Sequence, residues 1–406
     1  MLALFFGVGV FALADRYIFG MLIEPIKREF DVSDTWLGLA SGLSFALFLA
    51  AAGLPIARWA DRGVRRSILA LGLLVWSALT LASGLAASFA QLVLARLAIG
   101  VGEAAGTPTA HALISDYFPP ARRTGALAIY TAGASCGVFI AYLAGGWIQE
   151  LWGWRGVFFF LGAPGMALAL AVRLTVREPP RGRFDGAPAR PVPTRVALRE
   201  LLGLASYRHL LAAFSLHSLA FTGASMWNAP FLARIHGMQP GEIGTMLAFG
   251  SAAFMGVGIL VAGFATDRLA ARDARWTLWT PGLAALATAP LTLAFLFAPT
   301  RGEALACLAP AAFFTGFGTP GMHAATQGLA RPATRATAAA LNLIALTLVG
   351  SGLGPTLVGF LNDALNGVFG SAAIRFSLAL VAATSVWSGI HAILAARSFR
   401  ADLVRP

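Results

Sequence analysis

Charge is scarce in this chain. Asp, Glu, Lys and Arg make up 12% of 406 residues, against about 25% in an ordinary soluble domain. With 58% apolar residues and a mean hydropathy of +0.74, a soluble protein could not cover its own apolar surface, whereas a bilayer accepts it. Lysine is nearly missing, Lys27 being the single one among 30 basic residues. The formal charge of +12 would point to nucleic acid if it were clustered on a soluble face. The arginines fall between hydrophobic segments instead, so no nucleic-acid partner is expected. Cysteine is limited to Cys136 and Cys307, both in apolar stretches, which excludes a disulfide framework. Metal-ligand spacings are absent, and neither a metal nor another cofactor is expected. A basic n-region and a small-residue cleavage site are lacking too, so a removable signal peptide is not expected. A short cytoplasmic lead upstream of Met1 is.

What is present is a series of apolar segments of about 20 residues, each enough to cross ~30 Å as helix. They lie near 1–23, 35–57, 67–88, 91–115, 124–148, 156–176, 209–233, 242–265, 277–299, 304–329, 336–361 and 374–396. Alternate loops collect the arginines: 22 basic residues fall on one side and six on the other. The positive-inside rule then places both termini in the cytoplasm. A stretch rich in proline and arginine, 177–207, separates an N-terminal six-helix bundle (1–176) from a C-terminal one (208–406). Its end, Ala197 to Leu204, suits a short amphipathic helix on the inner membrane surface. The halves repeat: Asp61-Arg62 after span 2 and Asp267-Arg268 after span 8 occupy equivalent positions. Internal repeats with a midplane site between them are a recurring transporter plan. The fold class read from this is an all-α membrane protein of twelve transmembrane helices.

Four ionisable residues interrupt the apolar spans: Asp15 and Arg16 in span 1, Arg96 and Glu103 in span 4. Each costs roughly 2.5–3.5 kcal/mol at bilayer depth on insertion scales, which makes intramembrane charges site candidates by default. Counting from the outer surface at 1.5 Å per residue, Asp15 lies about 13 Å deep and Glu103 about 18 Å deep. Asp15 and Arg16 point about 100° apart, so each needs a partner on another helix. Arg96 and Glu103, two turns apart, share one face of span 4. The four charges sum to zero. An anionic headgroup that takes Arg16 away from Glu103 would free a carboxylate to pick up a proton. Asp15 and Glu103 are therefore expected to couple protons, and Arg16 and Arg96 to bind the headgroup. Tyr17, His217 and Asn228 are candidates for lining the cavity. Spans 7 to 12 carry no acid or base in their interiors, and a cavity polar on one wall and apolar on the other suits an amphipathic molecule.

Other patterns read as packing. Gly133-Ala-Ser135-Cys-Gly137 fits a hydrolase nucleophile motif, but that motif needs a strand-to-helix elbow; inside span 5 it reads as close helix contact. Gly350-Ser-Gly-Leu-Gly354-Pro355 reads as close packing with a bend. A membrane-embedded enzyme, the alternative of another class, would need a nucleophile or metal centre, and none is found, so no enzymatic activity is expected.

Two sets of residues carry a resemblance. The loop Ala57-Arg-Trp-Ala-Asp61-Arg62-Gly63-Val64-Arg65-Arg66, with its partial second copy Gly263 to Arg268, resembles the signature of the major facilitator superfamily. Asp15-Arg16-Tyr17, Arg96 with Gly100-Val-Gly102-Glu103-Ala104, and Val176-Arg177-Glu178-Pro-Pro-Arg181-Gly182 resemble the spinster family of lysolipid and sphingosine-1-phosphate transporters. The resemblance implies a monomeric secondary transporter of the cytoplasmic membrane that moves a lipid-like substrate by alternating access. It also implies that Asp61, Arg62, Arg65, Arg66, Asp267 and Arg268 gate its inner side. The alternative with the same fold is a proton-coupled symporter of small organic anions.

Overall fold

The structure is a computed structural model that describes residues 1–181, 184, 192–331 and 333–403, the side chains of Asp61, Ala121, Thr124 and Ala336 excepted. Most of the stretch expected as a linker thus lies outside the described residues. Every described element is a helix. In order these are α1 (Leu2–Phe30), α2 (Asp34–Ser41), α3 (Leu43–Arg62), α4 (Arg65–Ser83), α5 (Phe89–Glu103), α6 (Gly106–Tyr117), α7 (Pro120–Thr175), α8 (Thr194–Gly203), α9 (Ala205–His236), α10 (Pro240–Met246), α11 (Phe254–Ala270), α12 (Trp276–Phe297), α13 (Arg301–Gly316), α14 (Gly318–Leu329), α15 (Arg335–Ile344), α16 (Gly354–Phe369) and α17 (Ala373–Leu403). Two π-helical turns, Leu247–Ala253 and Ala345–Leu353, join α10 to α11 and α15 to α16. The second contains Gly350 and Gly352 and ends just before Gly354, in the glycine run where a bend is expected from the sequence.

Ten of the described stretches are long and apolar enough to cross a membrane. Two of them, Gly125–Thr175 with 51 residues and Thr337–Leu403 with 67, are more than twice the length that one crossing needs. Each contains a glycine at positive φ, Gly153 (71°) and Gly370 (55°), where a residue without a Cβ turns the chain at little cost. Polar side chains start several helices. Ser88 accepts the Gln91 N–H and Thr300 the Glu303 N–H, while Gln239 and Glu242 form a capping box on α10. Such caps satisfy donors that the first helical turn leaves free.

The chain packs into two compact units, Met1–Pro188 with Asn228–Ala248, and Ala189–Trp227 with Phe249–Pro406. In the first unit Phe5, Val8, Trp76, Ile99, Leu113 and Val172 share a buried core. Helices α1 and α7 meet there backbone to backbone: a Cβ on Gly133 would lie 2.2 Å from the Phe6 carbonyl oxygen, and one on Gly137 2.2 Å from that of Val10. The Gly-Ala-Ser-Cys-Gly run is thus a packing surface, and Ser135 spends its hydroxyl on the Thr131 carbonyl. In the second unit Tyr207, Phe214, Leu278, Met322 and Phe399 form the corresponding core. Helix α8 belongs to this unit and begins at Thr194, three residues before the expected start. It buries Ala197 and Leu201 and leaves Arg195, Val196 and Arg199 exposed.

Candidate functional site

Span 1 is the single helix α1, and span 4 is divided, with α5 ending at Glu103 and α6 beginning at Gly106. This division places the Glu103 carboxylate at a break in the helix. Asp15 and Arg16, adjacent on α1, both find partners on α5. Arg96 Nη1 donates to Asp15 Oδ2 at 2.9 Å, and Thr80 of α4 lies 2.7 Å from Asp15 Oδ1. Arg16 donates from Nε to Glu103 Oε2 at 2.7 Å, and its Nη2 lies 2.7 Å from the same oxygen. All four charges expected to form a site are therefore together, as two ion pairs.

The pairs differ in access. Arg96 is 1% exposed and is covered by the rings of Phe19 and Phe45, whose centroids lie 5.0 and 5.6 Å from its guanidinium. Cation–π contact of this kind favours a desolvated guanidinium. In this conformation Arg96, expected to meet a headgroup, is sealed by aromatic rings and paired with Asp15. Arg16 is different, with 30% of its side chain open. Its fork rests on one oxygen of Glu103 only. Among the described residues Glu103 Oε1, although buried, has no hydrogen-bond partner.

The other candidates are more dispersed. Tyr17 is half-buried and meets Tyr142 of α7 edge to face at 6.1 Å. Tyr130, which no sequence feature singled out, shares a hydrogen bond of 2.9 Å with Thr107 and faces the His111 ring. His217 is buried in the second unit, its ring filling the space over Gly318, where a Cβ would lie 2.3 Å from Cε1. It packs at the junction of α13 and α14. Asn228 is half-buried, in the first unit.

At the loop between α3 and α4, Arg65 pairs with Asp116 at the end of α6. Glu178 accepts the backbone N–H groups of Arg65 and Arg66 at 2.9 and 2.8 Å, a carboxylate held at a helix N-terminus. Arg66 also donates to the Val176 carbonyl, and Arg181 to the carbonyls of Ala60 and Gly63. The Arg177–Arg181 motif is therefore a strap across the loop between α3 and α4, a contact that sequence alone did not assign. Arg62, Asp267 and Arg268 are exposed, and the Asp61 side chain lies outside the described residues. A second cluster was likewise not read as one. Arg234, at the end of α9, pairs with Glu24 at 2.6 Å and Asp34 at 2.5 Å, and Lys27 meets Asp34 at 2.5 Å.

Comparison with known proteins agrees with this architecture. The description Major Facilitator Superfamily matches residues 4–355. A Mycolicibacterium smegmatis protein described as an MFS-type efflux pump is 34% identical over 399 residues, covering 98% of this chain and 92% of that one. An Escherichia coli protein described as a probable L-galactonate transporter is 28% identical over 292 residues, covering 66% of this chain and 61% of its own length. The crystal structure of a bacterial homolog of the human lysosomal transporter Spinster, inward-facing and unoccupied, superimposes with a TM-score of 0.92 at 30% identity, over 100% of this chain and 98% of that one. The chain belongs to the Major Facilitator Superfamily, is spinster-like within it, and is an integral, multi-pass membrane transporter.

Proposed function

With the chain a member of the Major Facilitator Superfamily, we propose that it moves an amphipathic lipid with an anionic or zwitterionic headgroup across the cytoplasmic membrane by alternating access, linked to protons. The substrate class is a lysophospholipid or a phosphorylated sphingoid base. The protein works as a monomer that crosses the bilayer twelve times in two six-helix bundles, with both termini cytoplasmic. The arginine asymmetry of the loops and the turns at Gly153 and Gly370 support that count.

One observation carries the reading. Arg16 is partly open and binds a single oxygen of Glu103, whose other oxygen is buried without a partner. A phosphate headgroup offers the guanidinium two oxygens in the geometry that arginine prefers. When Arg16 turns to it, Glu103 loses its counter-charge in apolar surroundings, where the charged form is disfavoured and a proton is taken up. Headgroup and proton then travel together. Asp15 is the second proton-exchanging carboxylate, and Arg96 positions it. The uncharged interiors of the second repeat receive the tail. Asp61, Arg62, Arg65 and Arg66 gate the cytoplasmic side together with Asp267 and Arg268, and the Glu178 strap holds the first set in register.

The E. coli relative favours a second reading, symport of small organic anions by the same charges without a tail site. Proteoliposome uptake of labelled lysophospholipid and of small carboxylates, each with and without a pH gradient, separates the two. Gradient-driven lysophospholipid uptake that becomes independent of the gradient in Glu103→Gln is the expected result. Carboxylate uptake alone would transfer the assignment to the second reading, and an unaltered gradient response in Glu103→Gln would remove Glu103 from the proton path.

A further inference from the structure

Thr80 lies on α4 in a stripe of buried hydroxyls, Ser77, Thr80 and Ser83, spaced three apart in an otherwise apolar helix. Its oxygen is 2.7 Å from Asp15 Oδ1 and 2.9 Å from the carbonyl oxygen of Trp76, one turn earlier. A hydroxyl has one hydrogen and two lone pairs, so Thr80 cannot donate to both oxygens at once. Two proton placements satisfy the group. With Asp15 ionised, Thr80 donates to Oδ1, and the Trp76 carbonyl keeps its own helix bond. With Asp15 protonated at Oδ1, the carboxyl donates to the Thr80 oxygen, and Thr80 donates to the Trp76 carbonyl. Only a hydroxyl hydrogen rotates between the two, and no heavy atom moves.

We propose that Thr80 is the positioning residue through which Asp15 gains and releases its proton without losing a hydrogen bond in either state. The inference rests on the proton-linked reading above and adds a named partner to it. The surroundings of Asp15 fit such a role. From α5, Arg96 holds Oδ2 in both states, and Glu103 is neutralised by Arg16. On α7, Tyr130 is bonded to Thr107 and Tyr142 meets Tyr17 edge to face. α3 contributes the Phe45 ring. Thr80 is thus the hydroxyl placed on the oxygen that Arg96 leaves free.

The test is infrared difference spectroscopy of the full-length protein between acidic and alkaline buffer, paired with the pH profile of uptake. The Asp15 carboxylic-acid band is identified by its loss in Asp15→Asn. A hydrogen bond to the charged form is stronger than one to the neutral form, so Thr80→Val, close in shape, removes more from the carboxylate. Its band is expected to half-titrate about one pH unit higher, a tenfold change in proton affinity, with the uptake profile displaced the same way. Thr80→Ser keeps the wild-type midpoint. Should Thr80→Val not accumulate, Thr80→Ala supplies the same reading. Coincident midpoints in wild type and Thr80→Val, or no band lost in Asp15→Asn, overturn the inference. Uptake by wild type that ignores a pH gradient overturns the proton-linked reading instead, whatever the spectra show.

Discussion

In the first repeat the helix of span 4 breaks after Glu103, and in the second the corresponding helix, α13 to α14, breaks at Phe317. Around the first break stand Asp15, Arg16, Arg96 and Glu103 as two ion pairs. In the second unit, helix contacts include bonds between neutral groups. The His217 ring fills the space over Gly318, Asn342 Nδ2 donates to Thr326 Oγ1 at 2.7 Å, and Thr222 donates to the Gly350 carbonyl. Both repeats hold their helices at close range through glycine, so bracing does not require charge. An apolar pair of similar volume would brace as well at lower desolvation cost, which is what supports the proposal that the ion pairs of the first repeat serve transport. The two pairs also differ in access, one sealed and one open.

The comparison breaks first at the sealed pair. Arg96→Ala leaves Asp15 buried without its counter-charge and is expected to cost about 3–5 kcal/mol, read as a large fall in thermal unfolding temperature in detergent. Arg96→Met combined with Asp15→Leu restores much of that stability but not the proton response of uptake. At the open pair, Arg16→Ala is expected to cost about 2–5 kcal/mol in substrate binding, at least ~30-fold in affinity. Arg16→Lys does not restore binding, since a point charge lacks the fork. Packing should not distinguish the repeats. A Cβ on Gly137 would lie 2.2 Å from the Val10 carbonyl oxygen, and one on Gly258 2.1 Å from that of Phe313. Gly137→Ala and Gly258→Ala are each expected to destabilise by about 1–3 kcal/mol, measured the same way. The smallest effect is expected in the second repeat's hydrogen bond. Asn342→Ala should cost about 1 kcal/mol and leave the pH profile of uptake in place.

How much of this was legible beforehand varied with the kind of fact. The four intramembrane charges announced themselves, because each is expensive where it stands. Their division was not legible. The coupling scheme read from the sequence takes Arg16 to pair with Glu103, but with Asp15 and Arg16 facing different directions and Arg96 and Glu103 sharing a face, helix geometry alone admits either pairing. The rotation of α1 is set by its backbone contact with α7 at Gly133 and Gly137. That rotation turns Asp15 to Arg96 and Arg16 to Glu103. The covering of Arg96 by Phe19 and Phe45 was equally hidden, since 29 phenylalanines gave no means of choosing among them. Thr80 left a faint trace in the three-residue spacing of Ser77, Thr80 and Ser83. Glu178 left less, as its motif lies over a hundred residues from the loop it holds.

By itself the amino-acid order determined that this chain lives in a bilayer, that it is helical there, and which side chains pay to be inside, because transfer free energies act residue by residue. The tertiary structure decided which charges meet, which cation stays open, and which hydroxyl stands against a carboxylate. Those are matters of helix rotation and approach, set by contacts between segments far apart in the chain.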